Sequence, residues 1–207
     1  MVRFLVVMAL LVGAGGTAQA GGIPLRTYET MTWVEGVLRL EAPHWDPVTR
    51  RTVARTVAEE SRAANLDPAL VLAMIKVESR YKTTAVSHKG ARGLMQLMPR
   101  VARTMTQGAV DARGLEDPET NIRLGVTLLK RLIRTHKGST AEGLAAYNMG
   151  SRKVRALMAK HDNLRGKDFR YSRAVLREAG RLKRVHVPQK LALAEVPTRG
   201  WLAALVD

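Results

Sequence analysis

The chain has 207 residues, 46% of them hydrophobic and 25% charged, which fits one globular domain large enough to bury a core. Cysteine is absent, excluding a disulfide scaffold and a thiol-borne lipid. A formal net charge of +16 points to a polyanionic partner.

Met1-Val-Arg3, an apolar run over residues 4–12 and Ala18-Gln19-Ala20 read as the charged region, core and cleavage site of a signal peptide, residues 1–20. The run is too short for a comfortable membrane span, and no later stretch is long enough. Removing this leader takes away only Arg3, lowering the charge from +16 to +15. A soluble, monomeric protein of the periplasm or cell envelope is expected. Exported, it meets anionic wall polymers and membrane surfaces first, so no nucleic acid partner is expected.

Residues 21–50, with Pro24, Pro43 and Pro47 around a short amphipathic piece at 32–40, are expected to form a weakly packed N-terminal arm. Trp33 and Trp45 read as packing anchors. From Asp46-Pro47 the pattern predicts a helix to about Ala64, capped by Asp46 and packed on the helix that follows. The main domain is placed at 51–185 and a C-terminal tail at 186–207.

Asp67-Pro68 opens the next helix, whose Val71, Met74, Ile75, Glu78 and Tyr81 share one stripe. Glu78 therefore lies on the apolar face near the helix end. Desolvation and the carbonyl end of the helix dipole both disfavour its ionised form and raise its pKa, as a general acid requires. A Glu that reaches the surface or pairs with an Arg is the alternative at this point. The loop after it carries Gly90 and Gly93, which permit positive φ or close approach, and Ser87 and Gln96, which bring hydrogen-bonding groups to the helix end.

Pro99 predicts a helix to about Met105, and 109–116 a loop. Asp117-Pro118 starts a helix whose Ile122, Gly125, Val126, Leu129, Leu132 and Ile133 form an apolar face. Asn121, in its first turn, reads from the residues alone as a clamp between helices. Ser139-x-x-Glu142 resembles a capping box, opening a helix that ends at Gly150 in an αL cap, and Ser151 caps another. Arg170, Arg173, Arg177, Arg181 and Arg184 form a basic stripe opposite Tyr171, Val175, Ala179 and Leu182, read as a solvated face or a docking surface. There is no internal repeat, metal-ligand cluster or Ser/His/Asp grouping; His88 alone is no metal site. No metal or cofactor is expected.

Glu78-Ser79, followed by Ser87-x-x-Gly90-Ala91-x-Gly93-Leu94-Met95-Gln96-x-Met98-Pro99, is similar to the signature of the soluble lytic transglycosylase family. Asp117-Pro118-x-x-Asn121-Ile122-x-x-Gly125 and Leu144-Ala145-Ala146-Tyr147-Asn148-x-Gly150 resemble its other motifs, in order, across about residues 66–155. The resemblance implies an all-α, lysozyme-like bundle of about six to eight helices, at most a minimal β element, and a groove over Glu78. It also implies cleavage of the β-1,4 bond between N-acetylmuramic acid and N-acetylglucosamine in peptidoglycan. Glu78 would act as sole general acid and base and leave 1,6-anhydro ends. Ser87, Gly93, Met95, Gln96, Met98 and Asn121 would line the sugar subsites, with Tyr147 and Asn148 completing the wall and Tyr147 hydrogen-bonding Glu78.

The family's Pro-x-Glu-Thr-like segment before a Tyr is replaced by Gly166-Lys167-Asp168-Phe169-Arg170 before Tyr171. A hydrolytic muramidase or a catalytically weak wall-binding protein are the alternatives. The first would need a second acid, and Glu78 is the only one in the first motif.

Overall fold

The computed structural model describes residues 25–160 and 169–187. Over these residues the chain is all-α, with eight helices: α1 (Leu25–Glu41), α2 (Pro47–Ala64), α3 (Pro68–Ser79), α4 (Pro99–Met105), α5 (Pro118–Thr135), α6 (Thr140–Met149), α7 (Ser151–Lys160) and α8 (Arg170–Lys183). One 3-10 turn, Gly114–Glu116, precedes α5. The predicted signal peptide, residues 161–168 and all but the first two residues of the predicted tail lie outside the described residues. No described helix is long and apolar enough to cross a membrane.

The helix starts follow the caps. Asp46 accepts from the amides of Val48 and Thr49, Asp67 from Ala69, Asp117 from Thr120 and Ser139 from Glu142. Each side-chain oxygen satisfies first-turn donors that have no partner within the helix. The capping box at α6 is one-sided, because the Ser139 amide donates to the His136 carbonyl instead of to Glu142. The Glu142 carboxylate instead meets His136 Nδ1 at 3.3 Å. Gly150 has φ +86 and ψ 142, so it ends α6 in extended positive-φ geometry and not in the αL cap expected.

α3 lies at the centre. Ala69, Leu70, Val71, Leu72, Ala73, Met74 and Ile75 are all buried, as in a helix enclosed on every side. α8 runs along it, α6 bridges α5, α7 and α8, and α2 packs chiefly against α1 and α5 while also meeting α3.

Within the region expected to be a loose arm, Leu25–Glu41 form a structural helix. In α1, Val34, Val37 and Leu38 have no solvent exposure and join the same core as α3. The apolar stripe there is short, and its stability comes from packing against α2, which local patterning does not reveal. Trp45 is an anchor, as expected: it is buried edge-on against Tyr81, with ring centroids 5.9 Å apart.

Candidate active site

α3 ends just beyond Glu78. Ser79 is its last residue, and Arg80 and Tyr81 both adopt positive φ, 51 and 63 degrees. This tight reversal takes Tyr81 off the helix and buries its ring under Trp45. Glu78 stays in the last turn, partly buried. Its carboxyl is pushed up to about 7, because burial raises it further than a hydrogen bond from Tyr171 lowers it. The Tyr171 hydroxyl donates to Glu78 Oε1 at 2.5 Å.

That contact corrects the expectation for Tyr147. The Tyr147 hydroxyl carries one proton, and it donates to the Met95 carbonyl at 2.9 Å. Tyr147 still stands close enough for the charge of Glu78 to raise its pKa, although burial is the larger cause. Tyr171 is raised in the same way, by burial first and then by Glu78. Two neutral phenols therefore flank the acid, one from α6 and one from α8. Tyr171 is the functional residue that sequence reasoning left without a role. The signal for it was the Tyr that ends the family's segment, masked here by the altered residues before it.

The loop from 85 to 98 is tied by its own backbone. Gly93 donates to Ala85, Ser87 to Ala91, and Arg92 and Leu97 exchange both amide bonds. Two isolated bridges, Val86 with Arg92 and Arg92 with Leu97, constitute the minimal β element. The Gln96 side-chain amide donates to Ala85 and Gly93 carbonyls, at 3.0 and 2.9 Å, while Ser87 Oγ accepts from Ala91. Gly93 has φ +77, and a Cβ there would lie 2.1 Å from the Leu115 carbonyl oxygen, so no other residue fits.

Asn121 fixes this loop to α5. Its Oδ1 accepts from the Met95 amide at 2.7 Å, and its Nδ2 donates to the carbonyls of Arg92 and Leu115 at 2.9 and 2.8 Å. The side chain is fully buried. It is the clamp that its residue type suggested and not a subsite wall. Met95 is likewise inaccessible, with its thioether packed over Gly125. Of the other predicted subsite residues, Met98 and Asn148 are exposed, Ser87 and Gln96 are partly exposed with side chains bonded within the loop, and Gly93 is buried. The structure thus brings Glu78, Tyr147 and Tyr171 together and uses Gly93, Met95, Gln96 and Asn121 to shape the loop behind them.

Five acids outside the first motif are engaged elsewhere. Asp111 accepts from the Gly114 amide, Glu116 pairs with Arg92, Asp117 caps α5, Glu119 pairs with Arg55 and Arg123, and Glu142 meets His136. Two surface cavities of about 360 Å³ adjoin Asp67 and Lys183, at the opposite end of α3 from Glu78. Neither is lined by Glu78. The basic stripe on α8 is not uniform: Arg181 faces Glu41 and Glu178. Among the described residues there is no His, Cys, Asp and Glu grouping suited to a metal.

An all-helical, lysozyme-like scaffold with one carboxylic acid of raised pKa at a helix end and a stapled loop beside it defines the class. Residues 55–169 match the model of the transglycosylase SLT domain, more than half of the chain, and the chain belongs to that family. It is 36% identical over 96 residues to a transglycosylase of Enterobacteria phage PRD1, covering 46% of this chain and 34% of that protein. It is 31% identical over 139 residues to membrane-bound lytic murein transglycosylase C of Actinobacillus pleuropneumoniae, covering 60% and 36%. The chain thus spans about a third of the length of these curated relatives. The fold is similar to that of lytic transglycosylase Slt from Pseudomonas aeruginosa, with TM-score 0.58, 24% identity and coverage of 72% of this chain and 29% of that one. The 70 kDa soluble lytic transglycosylase of Escherichia coli gives TM-score 0.58, 21% identity and coverage of 76% and 29%.

Proposed function

We propose that the protein is a peptidoglycan lytic transglycosylase of the cell envelope that cleaves the β-1,4 bond between N-acetylmuramic acid and N-acetylglucosamine without consuming water. The observation that carries this reading is Glu78, partly buried, held near a pKa of 7 and oriented by Tyr171. With Tyr171 donating to Oε1, the acid proton resides on Oε2, which delivers it to the glycosidic oxygen as the bond to C1 breaks. The resulting carboxylate takes the proton of the muramic acid 6-hydroxyl. That oxygen bonds to C1, closing a 1,6-anhydro ring and returning Glu78 to its acid form. An acceptor on the same sugar has a high effective concentration and requires no positioned water.

A two-carboxylate hydrolase would need a second acid roughly 5 to 10 Å away. The engagement of Asp111, Glu116, Asp117, Glu119 and Glu142 with other partners supports a single-acid mechanism. The family's substrate supports glycan strands as the partner, and the charge of +16 supports electrostatic attraction to anionic envelope polymers. Ser87, Gln96, Met98, Tyr147 and Asn148, which keep solvent contact, are the residues of the predicted set best placed to meet sugar.

The test is digestion of purified sacculi in heavy-oxygen water by wild type and Glu78→Gln. Wild type should yield 1,6-anhydro muramic ends that resist borohydride and carry no solvent oxygen, and folded Glu78→Gln should yield none. Reducing ends carrying the heavy label as the main product would identify a hydrolase instead.

A further inference from the structure

Away from the acid itself, four charged side chains from three helices form a closed ring. Lys76 Nζ lies 2.5 Å from Glu41 Oε2 and 3.1 Å from Glu178 Oε1, and Arg181 Nη2 lies 2.5 Å from Glu41 Oε1 and 2.6 Å from Glu178 Oε1. Each cation meets both anions. Glu41 comes from α1, Lys76 from α3, and Glu178 and Arg181 from α8. We propose that this ring is an ionic clamp that holds α8 at the register placing the Tyr171 hydroxyl on Glu78, which makes Glu41, Lys76, Glu178 and Arg181 positioning residues for the acid.

Three features support the assignment. Tyr171 and Glu178 are seven residues apart on α8, two helical turns, so they project from the same face. Lys76 and Glu78 are two residues apart on α3, so clamp and acid share the same short stretch. The apolar contacts of Val175, Ala179 and Leu182 favour burial of α8 but are non-directional and tolerate sliding or rotation, whereas charged hydrogen bonds fix position. A phenol hydrogen bond weakens steeply once length or angle departs from ideal, so the alignment of α8 decides whether Tyr171 reaches Glu78. Exposed ion pairs add little stability, and the ring acts through geometry.

The clamp is charged near neutral pH. Burial would raise Glu41, but hydrogen bonds from Lys76 and Arg181 outweigh it; Glu178 is lowered first by its bond from Arg181. Among the described residues, Glu78 is faced by Tyr171 of α8 and Tyr147 of α6, with Lys76 nearby on its own helix.

The inference rests on Glu78 being the acid of the proposed function, but its test does not depend on turnover. The Glu78 titration midpoint is read by carboxyl carbon NMR on glutamate-labelled protein, with the resonance assigned by its absence in Glu78→Gln. Glu41→Gln and Glu178→Gln each remove a negative charge, which through space can only lower the Glu78 midpoint, whereas misplacing Tyr171 removes a stabilising hydrogen bond and raises it. Each variant should raise the midpoint by about half a unit or more. In a Tyr171→Phe background Glu41→Gln should add no further rise, since the effect passes through Tyr171. Arg181→Lys keeps the charge but loses the fork and should also raise it, which covers failure of a glutamine variant to fold. A midpoint that falls or stays, or increments that add to that of Tyr171→Phe, would overturn the clamp. Absence of wall cleavage by wild type would sink the proposed function alone.

Discussion

A carboxylic acid whose pKa burial lifts to about 7 should cost the protein stability once it ionises, and Glu78→Gln exposes that cost. The folded-state pKa of Glu78 is about 7 against an ordinary 4.5, because burial outweighs the bond from Tyr171. Below pH 4.5 the group is protonated in both folded and unfolded chains and contributes no difference. Between 4.5 and 7 the folded state holds the proton more tightly, so stability from this group is lost as pH rises through that window and is flat above it. A displacement of this size corresponds to about 3 kcal/mol, or about 2–3 after the remaining solvent contact of Glu78 is allowed for. The amide of the Glu78→Gln variant has the same shape as the acid, accepts from Tyr171 and does not ionise. Urea unfolding of wild type and Glu78→Gln, followed by circular dichroism from pH 4 to 8.5, should give equal stabilities at the acid end. At the alkaline end Glu78→Gln should be more stable by about 2–3 kcal/mol. A difference that stays constant with pH would refute burial as the cause of the raised pKa.

Tyr171→Phe removes the one hydrogen bond that lowers Glu78. A bond to a charged group is worth about 1.5–3 kcal/mol, so the Glu78 midpoint should rise by about 1–2 units, and the alkaline limb of the pH profile for sacculus cleavage should move with it. An unchanged profile would remove Tyr171 from the site. Asn121→Ala strands the Met95 amide and the Leu115 carbonyl in the interior, while the Arg92 carbonyl keeps the Leu97 amide, and should cost about 3 kcal/mol in thermal or urea unfolding and speed hydrogen exchange at Met95. Loss of wall cleavage with unchanged stability and exchange would instead make Asn121 a substrate contact.

The three ordered motifs identify the family, and caps at Asp46, Asp67, Asp117 and Ser139 mark the helix starts, because side chains that satisfy first-turn amides are local chemistry. Glu78 is legible for the same reason: helical spacing alone puts it on the apolar stripe of α3. The roles of its neighbours are not. Motif membership places Asn121 and Met95 among substrate contacts, yet both are buried, and Asn121 holds backbone groups that spacing along the chain does not bring together.

The partner of Glu78 belongs to the same category. Tyr147 and Tyr171 are both tyrosines on apolar helix faces, and only the packing of α6 and α8 against α3 decides which hydroxyl reaches the carboxylate and which reaches Met95. The burial of α1 is decided the same way, by a surface on α2 that complements a stripe too short to stand alone. The chain by itself determined helix starts, the place of the acid and the loop glycine, since each is set by residues within a turn or two. Tertiary structure decided the hydrogen-bond partners, the pKa of Glu78 and the alignment of α8. Those depend on distances and desolvation between segments far apart in the chain, 93 residues for Tyr171 and Glu78 and 140 for Arg181 and Glu41.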